Sequence, residues 1–190
     1  MKILIAGLII WTLGHYFKRL MPSGRVALET SIGQGPAKGA IALLLVISIV
    51  LMVIGYRSAN DLHVYSPMAG IGHLNNLLMY IAILLFGMGS SKGKMRAWFR
   101  HPMLMGVITW SVAHLLVNGD LASVILFGGL AIWAIIQMLL INRVVADWAR
   151  PEAGPVARDI RLLVIALVLY AIIATIHTWL GYNTFLGTYG

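Results

Sequence analysis

The chain has 190 residues, of which 60% are hydrophobic and only 11% are charged, and its formal net charge is +8. Soluble domains carry roughly 25% charged residues, so this composition predicts an integral membrane protein. In a soluble protein the positive charge would suggest nucleic acid. Here the charges lie between apolar runs, so we expect them to meet membrane lipid and predict no nucleic-acid partner. Cysteine is absent, which excludes disulfides, thiolate metal sites, iron–sulfur clusters and c-type haem.

Six apolar segments follow one another along the chain. We interpret them as transmembrane helices at about 3–20, 39–56, 74–89, 102–118, 121–142 and 161–181. Several are near the lower length limit, because crossing a core of ~30 Å takes about 20 residues. Glycine and proline predict breaks between helices at 31–40 and 149–155. The sequence therefore predicts one all-α domain over residues 1–190, an integral membrane bundle of six helices whose first segment is a retained span and not a signal peptide.

The basic residues predict the orientation of this bundle. Twelve of the fourteen lysines and arginines lie in the loops after the first, third and fifth segments, whereas Lys2 and Arg57 lie at the other end. The positive-inside rule places the twelve in the cytoplasm and both termini outside. Omitting one segment would destroy this segregation, so the charge pattern supports six spans independently of hydropathy.

Acidic residues and lysines are missing from the segment centres. All six carboxylates lie in loops or at segment ends, and no lysine or arginine lies near the middle of a segment. Proton-coupled carriers and ion pathways place ionisable groups at mid-membrane. A retinal Schiff base needs a buried lysine. The sequence therefore argues against transporters and rhodopsins.

Histidines are the polar groups that remain inside the apolar segments. His15 lies in the first segment, His114 in the fourth and His177 in the sixth, and His101 lies where the fourth begins. A neutral imidazole bonded to a backbone carbonyl is the structural interpretation, but three in a small bundle favour a ligand set for iron, copper or zinc. At ~1.5 Å per residue, His15 and His114 differ in depth by ~15 Å. An outer pair, His114 with His177, and an inner pair, His15 with His101, both stay open.

The tripeptide Arg100-His101-Pro102 opens the fourth segment. Proline is well tolerated in the first helical turn, which places Arg100 and His101 in the cytoplasmic headgroup region. One interpretation is a snorkelling arginine beside a proline cap. The other is a phosphate or carboxylate site at a helix N-terminus.

Five fragments, in order over most of the chain, carry a resemblance to a known family. They read GLIIWTLGHYFKRLMPSGR, KGAIALLLVISIVLMVIGY, GHLNNLLMYIAILLFGMG, RHPMLMGVITWSVAHLLVNGD and IHTWLGYN, and they include all four of the histidines above. These fragments resemble the NnrU family. The resemblance implies a small bacterial inner-membrane protein associated with nitrite and nitric oxide metabolism.

Two related groups suggest mechanisms. The plastid zeta-carotene isomerases are similar across the same domain and hold haem b through histidines. This resemblance implies His15 and His114 as axial ligands, His177 as a substitute or neighbouring partner, and Arg100 as a partner of a haem propionate or a lipid phosphate. A cysteine three residues before the second ligand is replaced by Ser111. The resemblance therefore does not extend to a redox ligand switch of the isomerase type.

The isoprenylcysteine and phospholipid methyltransferases share RHPxxxG followed by an apolar helix. In that group the motif belongs to an S-adenosylmethionine pocket that opens to the cytoplasm. Their later Glu-Glu pair is missing here, where Asp147 and Glu152 are separated. We therefore expect a haem b protein of nitric oxide or nitrite metabolism. The alternatives are a haem-dependent double-bond isomerase of a polyene lipid and a membrane methyltransferase that uses Arg100 and His101.

Overall fold

The computed structural model describes residues 1–184, and this part of the chain is all-α. Seven α-helices follow one another: α1 (Lys2–Leu20), α2 (Pro22–Ile32), α3 (Gln34–Arg57), α4 (Gly72–Met88), α5 (Pro102–Val117), α6 (Leu121–Val144) and α7 (Val156–Trp179). A single 3-10 turn, Met95–Ala97, lies between α4 and α5. The all-α class predicted from the sequence is confirmed.

The six predicted apolar segments fall on six of these helices, and α2 is the helix that the sequence analysis did not predict. The break expected at 31–40 is much shorter, because α2 ends at Ile32 and α3 already begins at Gln34. Gly33 joins them with a φ of 89°, in the left-handed region that favours glycine. Pro36 lies in the first turn of α3, where its missing N–H costs little. The break expected at 149–155 is confirmed as non-helical chain.

Four helices, α1, α3, α6 and α7, are long and apolar enough to cross a membrane by length and composition. The other two apolar helices are shorter, with 17 residues in α4 and 16 in α5. Large aliphatic side chains are exposed along the two helices at the edges of the bundle. On α7 these are Val156, Ile160, Leu163, Val164, Ile165, Leu167, Val168, Leu169, Ile172 and Ile176. Soluble monomers rarely expose so large an apolar surface, and a lipid environment is compatible with it.

The helices pack in the spatial order α3, α1, α6, α5, α4, α7. α1 and α3 are antiparallel, because a Cβ on Gly7 would meet Met52 while one on Gly55 would overlap the backbone of Leu4. α1 and α6 are parallel, since Leu8 lies beside Gly129 and the next turns bring His15 beside Trp133. The chain segments after α1, α4 and α6 therefore lie at one end, here called the basic end. Both described termini lie at the opposite end.

A buried carboxylate holds the basic end together. Asp159, in the first turn of α7, is only 7% exposed and accepts hydrogen bonds from the backbone N–H groups of Lys94 (2.8 Å) and Met95 (3.1 Å). Gly154 N–H donates to Gly93 O at 3.2 Å in the same place. These bonds fasten the α4–α5 connection to the start of α7.

The loop of residues 58–71 covers the opposite end. Its backbone pairs with the short turn between α5 and α6: Val64 N–H donates to Gly119 O at 2.8 Å. The Tyr65 hydroxyl donates to the carbonyls of Leu115 and Asn118. Burial, and secondarily the nearby Asp120 carboxylate, raises the pKa of Tyr65, so this hydroxyl stays protonated and able to donate at neutral pH.

The close approach of α1 and α3 can be tested with two alanine substitutions on one helix. Gly55→Ala forces a methyl group into the backbone of α1, and we expect it to lower the free energy of unfolding by about 1–3 kcal/mol. Gly39→Ala is the matched control, because no heavy atom lies within 4 Å of the added Cβ. Alanine there should be neutral or slightly stabilising through helix propensity. Thermal denaturation in detergent measures both, and equal melting temperatures for the two variants would contradict the packing.

Candidate functional site

A cavity of about 240 Å³ lies at the opposite end, between α4, α5, α6, α7 and the last turn of α3. Its walls combine apolar and aromatic side chains with a few polar ones. The polar and aromatic lining residues include Tyr56, Asn75, Asn76, His114, Asn118, Phe127, Tyr170 and His177. Small-molecule sites have this mixed lining and volumes of roughly 300–1,000 Å³, so the cavity is slightly smaller than usual.

Aromatic rings fix the His114 side chain on α5. Its imidazole stacks on Phe127 of α6 with a centroid distance of 4.4 Å and an interplanar angle of 23°. Trp110, one turn earlier on α5, contacts both rings, at 4.8 Å from His114 and 4.9 Å from Phe127. The imidazole is therefore clamped at the cavity wall by neighbours from two helices.

Each histidine within an apolar helix makes the same hydrogen bond. The Nδ1 atoms of His15, His114 and His177 lie 2.8–2.9 Å from the carbonyl oxygen four residues earlier. A carbonyl oxygen only accepts, so Nδ1 carries the proton, and in the neutral imidazole Nε2 then keeps its lone pair. Metal-ligating histidines typically donate their other ring N–H in this way. A histidine that binds no ligand can make the same hydrogen bond to satisfy its ring N–H. The bond therefore supports a ligand role only for a histidine that also lines a cavity.

The structure brings His114 and His177 to one cavity and places His15 elsewhere. The rings of His15, Trp11 and Trp133 form a separate cluster between α1 and α6, with centroid distances of 4.1–5.2 Å. No residue of α1 is among those that line the cavity in the described part of the chain. The outer pair of histidines, which the depth argument left open, is thus the pair that shares a site.

The His15 cluster contains polar atoms that lack partners. The indole N–H groups of Trp11 and Trp133 are both buried without a hydrogen bond within the part of the protein that residues 1–184 form. Each such group costs about 1–3 kcal/mol. Buried groups of this kind are rare and require an explanation. The cluster is therefore the alternative position for a ligand.

The Arg100-His101-Pro102 motif lies at the basic end and does not line the cavity. The Arg100 guanidinium donates to the carbonyls of Val145 and Ala146 just after α6, and His101 Nε2 lies 2.8 Å from Asn142 Oδ1. Carbonyls at a helix C-terminus lack partners within the helix, and a positive charge is favourable there. The motif joins the start of α5 to the end of α6.

Several lining residues were not singled out from the sequence. Tyr56 reaches the cavity from the last turn of α3, and Asn75 and Asn76 reach it from the first turn of α4. Two adjacent amides at the start of an apolar segment were an available signal, since polar groups in such helices face the bundle interior. Tyr56 gave no signal, because a tyrosine at a segment end is typical of membrane interfaces.

The donor set limits which cofactors fit. In the part of the chain that the structure describes, no group of three or more histidine, aspartate or glutamate side chains could hold a metal ion. Haem needs only one or two protein ligands, so His114 and His177, which line the same cavity, supply enough ligands for a haem iron. The volume of the cavity, about 240 Å³, accommodates part of the porphyrin ring of a haem. Its side chains present the apolar and aromatic contacts that a porphyrin requires.

The fold and site together define an all-helical protein of membrane-type apolar helices with an internal histidine-lined cavity. The family model of the NnrU protein matches residues 3–184, so the chain belongs to the NnrU family. No curated protein and no solved structure matches the chain.

The hydrogen bonds from Arg100 to the chain just after α6 should stabilise the fold whether or not a cofactor is bound. Arg100→Ala leaves the two carbonyls just after the C-terminus of α6 without their charged donor, and we expect a loss of about 1 kcal/mol of unfolding free energy. Arg158→Ala removes an exposed arginine from the same end and serves as the control. Melting curves of both variants in detergent check this, and an unchanged melting temperature for Arg100→Ala would contradict the assignment.

Proposed function

We propose that this NnrU-family protein binds haem b at the His114–His177 cavity and acts in the metabolism of nitric oxide or nitrite. The observation that carries the proposal is the pair of imidazoles that line one cavity, each with Nδ1–H bonded to its own helix and Nε2 left with a lone pair. Family membership supports the metabolic assignment through the nitrite and nitric oxide association of NnrU proteins.

The proposed setting is the bacterial inner membrane. Six helices, α1 and α3 to α7, would span it, with the basic end in the cytoplasm and both termini outside. α4 and α5 are about 24–26 Å long, shorter than a ~30 Å core, and local thinning of the bilayer accommodates such helices. In this arrangement the cavity lies in the outer part of the membrane.

The side chains around the cavity have defined tasks in this proposal. His114 and His177 hold the iron, and bound haem supplies a redox-active metal that takes nitrogen oxides as ligands. Phe127 keeps the His114 ring in position by stacking, while Tyr170 and Ile173 of α7 close the cavity towards the lipid side. Removing water from such a site strengthens every electrostatic interaction inside it.

The other functions have less support. A polyene isomerase would use the same histidines, and turnover of a polyene lipid would distinguish it from a sensor or redox protein. A methyltransferase would use Arg100 and His101, whose hydrogen bonds go to α6. We therefore rank methylation below haem binding.

Four alanine variants test which histidines bind haem. His114→Ala should lose most of the bound haem, and His177→Ala should weaken binding or convert the haem to a form with one protein ligand, because each removes one Nε2 from the cavity. His15→Ala should keep the haem, as should His73→Ala, an exposed control at the start of α4. Absorption spectra and pyridine haemochrome assays on the purified variants measure this.

Two outcomes change the assignment. Haem lost in His15→Ala and His114→Ala but kept in His177→Ala favours the pair implied by the isomerase resemblance. Haem content unchanged in His114→Ala contradicts both pairs, because His114 belongs to each of them.

A further inference from the structure

Tyr56 connects the cavity to a chain of hydrogen bonds. Tyr56 lines the cavity from the last turn of α3, and its hydroxyl lies 2.8 Å from Ser123 Oγ on α6. Ser123 is fully buried, with 0% of its surface exposed. This bond joins α3 to α6 through two residues that are 67 positions apart along the chain.

Ser123 in turn bonds to Asp120, the N-cap of α6. The Ser123 backbone N–H donates to Asp120 Oδ1 at 2.8 Å, which is the usual capping bond. The Ser123 hydroxyl donates to the second carboxylate oxygen, Oδ2. Helix capping requires only the first of these bonds. The second extends the chain from the cap to Tyr56.

The chemistry of the three groups gives this chain a direction. An ionised carboxylate only accepts, so the single Ser123 hydroxyl proton belongs to the bond with Asp120. Ser123 Oγ must then accept the proton of Tyr56. With Asp120 ionised, the order is therefore Tyr56 to Ser123 to Asp120, and the oxygen of Tyr56, a residue that lines the cavity, keeps a lone pair that can accept a proton. With Asp120 protonated, the two hydroxyl bonds of the chain, Asp120–Ser123 and Ser123–Tyr56, can reverse, and the hydroxyl proton of Tyr56 is then free to be donated to the cavity.

We propose that Asp120, Ser123 and Tyr56 form a proton relay between the water at the opposite end of the bundle and the histidine-lined cavity. A proton released in the cavity adds to the oxygen of Tyr56, the phenol proton moves to Ser123, and the Ser123 proton moves to Asp120. Asp120 then releases one proton to water, so one proton enters and one leaves. The reverse sequence delivers a proton to the cavity. The hydrogen-bonded chain does not depend on the proposed function. Only the identity of the reaction that uses the protons rests on it.

The surroundings of Asp120 suit exchange with water. Asp120 is partly exposed, and Asp61 and His63 of the covering loop are exposed beside it. The phenols of Tyr65 and Tyr182 are the other titratable groups within electrostatic range of Asp120 or of Tyr56. On the cavity side the titratable groups are His114 and His177.

Tyr65 provides a matched comparison within the same region. Its hydroxyl donates to the backbone carbonyls of Leu115 and Asn118. Backbone carbonyls accept but cannot pass a proton on, so this phenol ends a hydrogen-bond chain where Tyr56 continues one.

Infrared difference spectroscopy of the haem-free protein, recorded between neutral and acidic pH with ring-labelled tyrosine, tests the relay. Protonation of Asp120 should reverse the chain and shift the C–O band of Tyr56. The shift should be absent in Tyr56→Phe and present in Tyr65→Phe. The shift should be lost in Ser123→Ala, because this variant keeps the Asp120 carboxyl but removes the hydroxyl that links it to Tyr56. Asp120→Asn keeps an N-cap acceptor but cannot titrate, so it should also abolish the shift in a folded protein.

The contrary results are equally specific. A tyrosine shift that persists in Ser123→Ala or Asp120→Asn overturns the relay, as does a shift that depends on Tyr65. No tyrosine shift at any pH in the unsubstituted protein also overturns it and leaves Asp120 as a helix cap. Because no haem is present in this measurement, its failure is separate from a failure of the haem proposal.

Discussion

Polar groups inside a bundle whose outer surface is apolar must find their partners within the protein, and the rest of the structure follows from this constraint. The imidazoles of His15, His114 and His177 bond to carbonyls of their own helices. The Tyr16 hydroxyl donates to Trp133 O at 2.9 Å, which fastens α1 to α6. A buried group without such a partner costs about 1–3 kcal/mol. The same bonds that satisfy the three histidines also set their tautomers.

This constraint also separates the two ends of the bundle. At the basic end the polar bonds are structural: Asp159 holds the α4–α5 connection, and Arg100 binds the carbonyls after α6. At the opposite end, polar side chains converge on a cavity, where His114 offers a lone pair and Tyr56 leads to Asp120 through Ser123. In the proposed function, a reaction at the histidines would therefore have access to a titratable group near water. The Arg-His-Pro motif supports the fold.

The sequence predicted the apolar helices well, because hydropathy over a segment of about 20 residues is a strong local signal. It missed α2, whose segment PSGRVALETSI mixes polar and apolar residues and has none that is buried. The sequence left an outer and an inner histidine pair open, and the structure places the outer pair, His114 and His177, at one cavity. The partners of Arg100 and Tyr56 lie 45 and 67 residues away along the chain, so only the helix packing order determines them.

The most direct test of the account is the haem content of the unsubstituted protein, purified in mild detergent from haem-supplemented cells. Total iron, the absorption spectrum and a pyridine haemochrome assay on one sample give the stoichiometry. The account predicts close to one b haem per chain, with a spectrum that changes when nitric oxide is added. A colourless, folded protein would contradict it, and the anchored histidines would then be structural members of an apolar bundle.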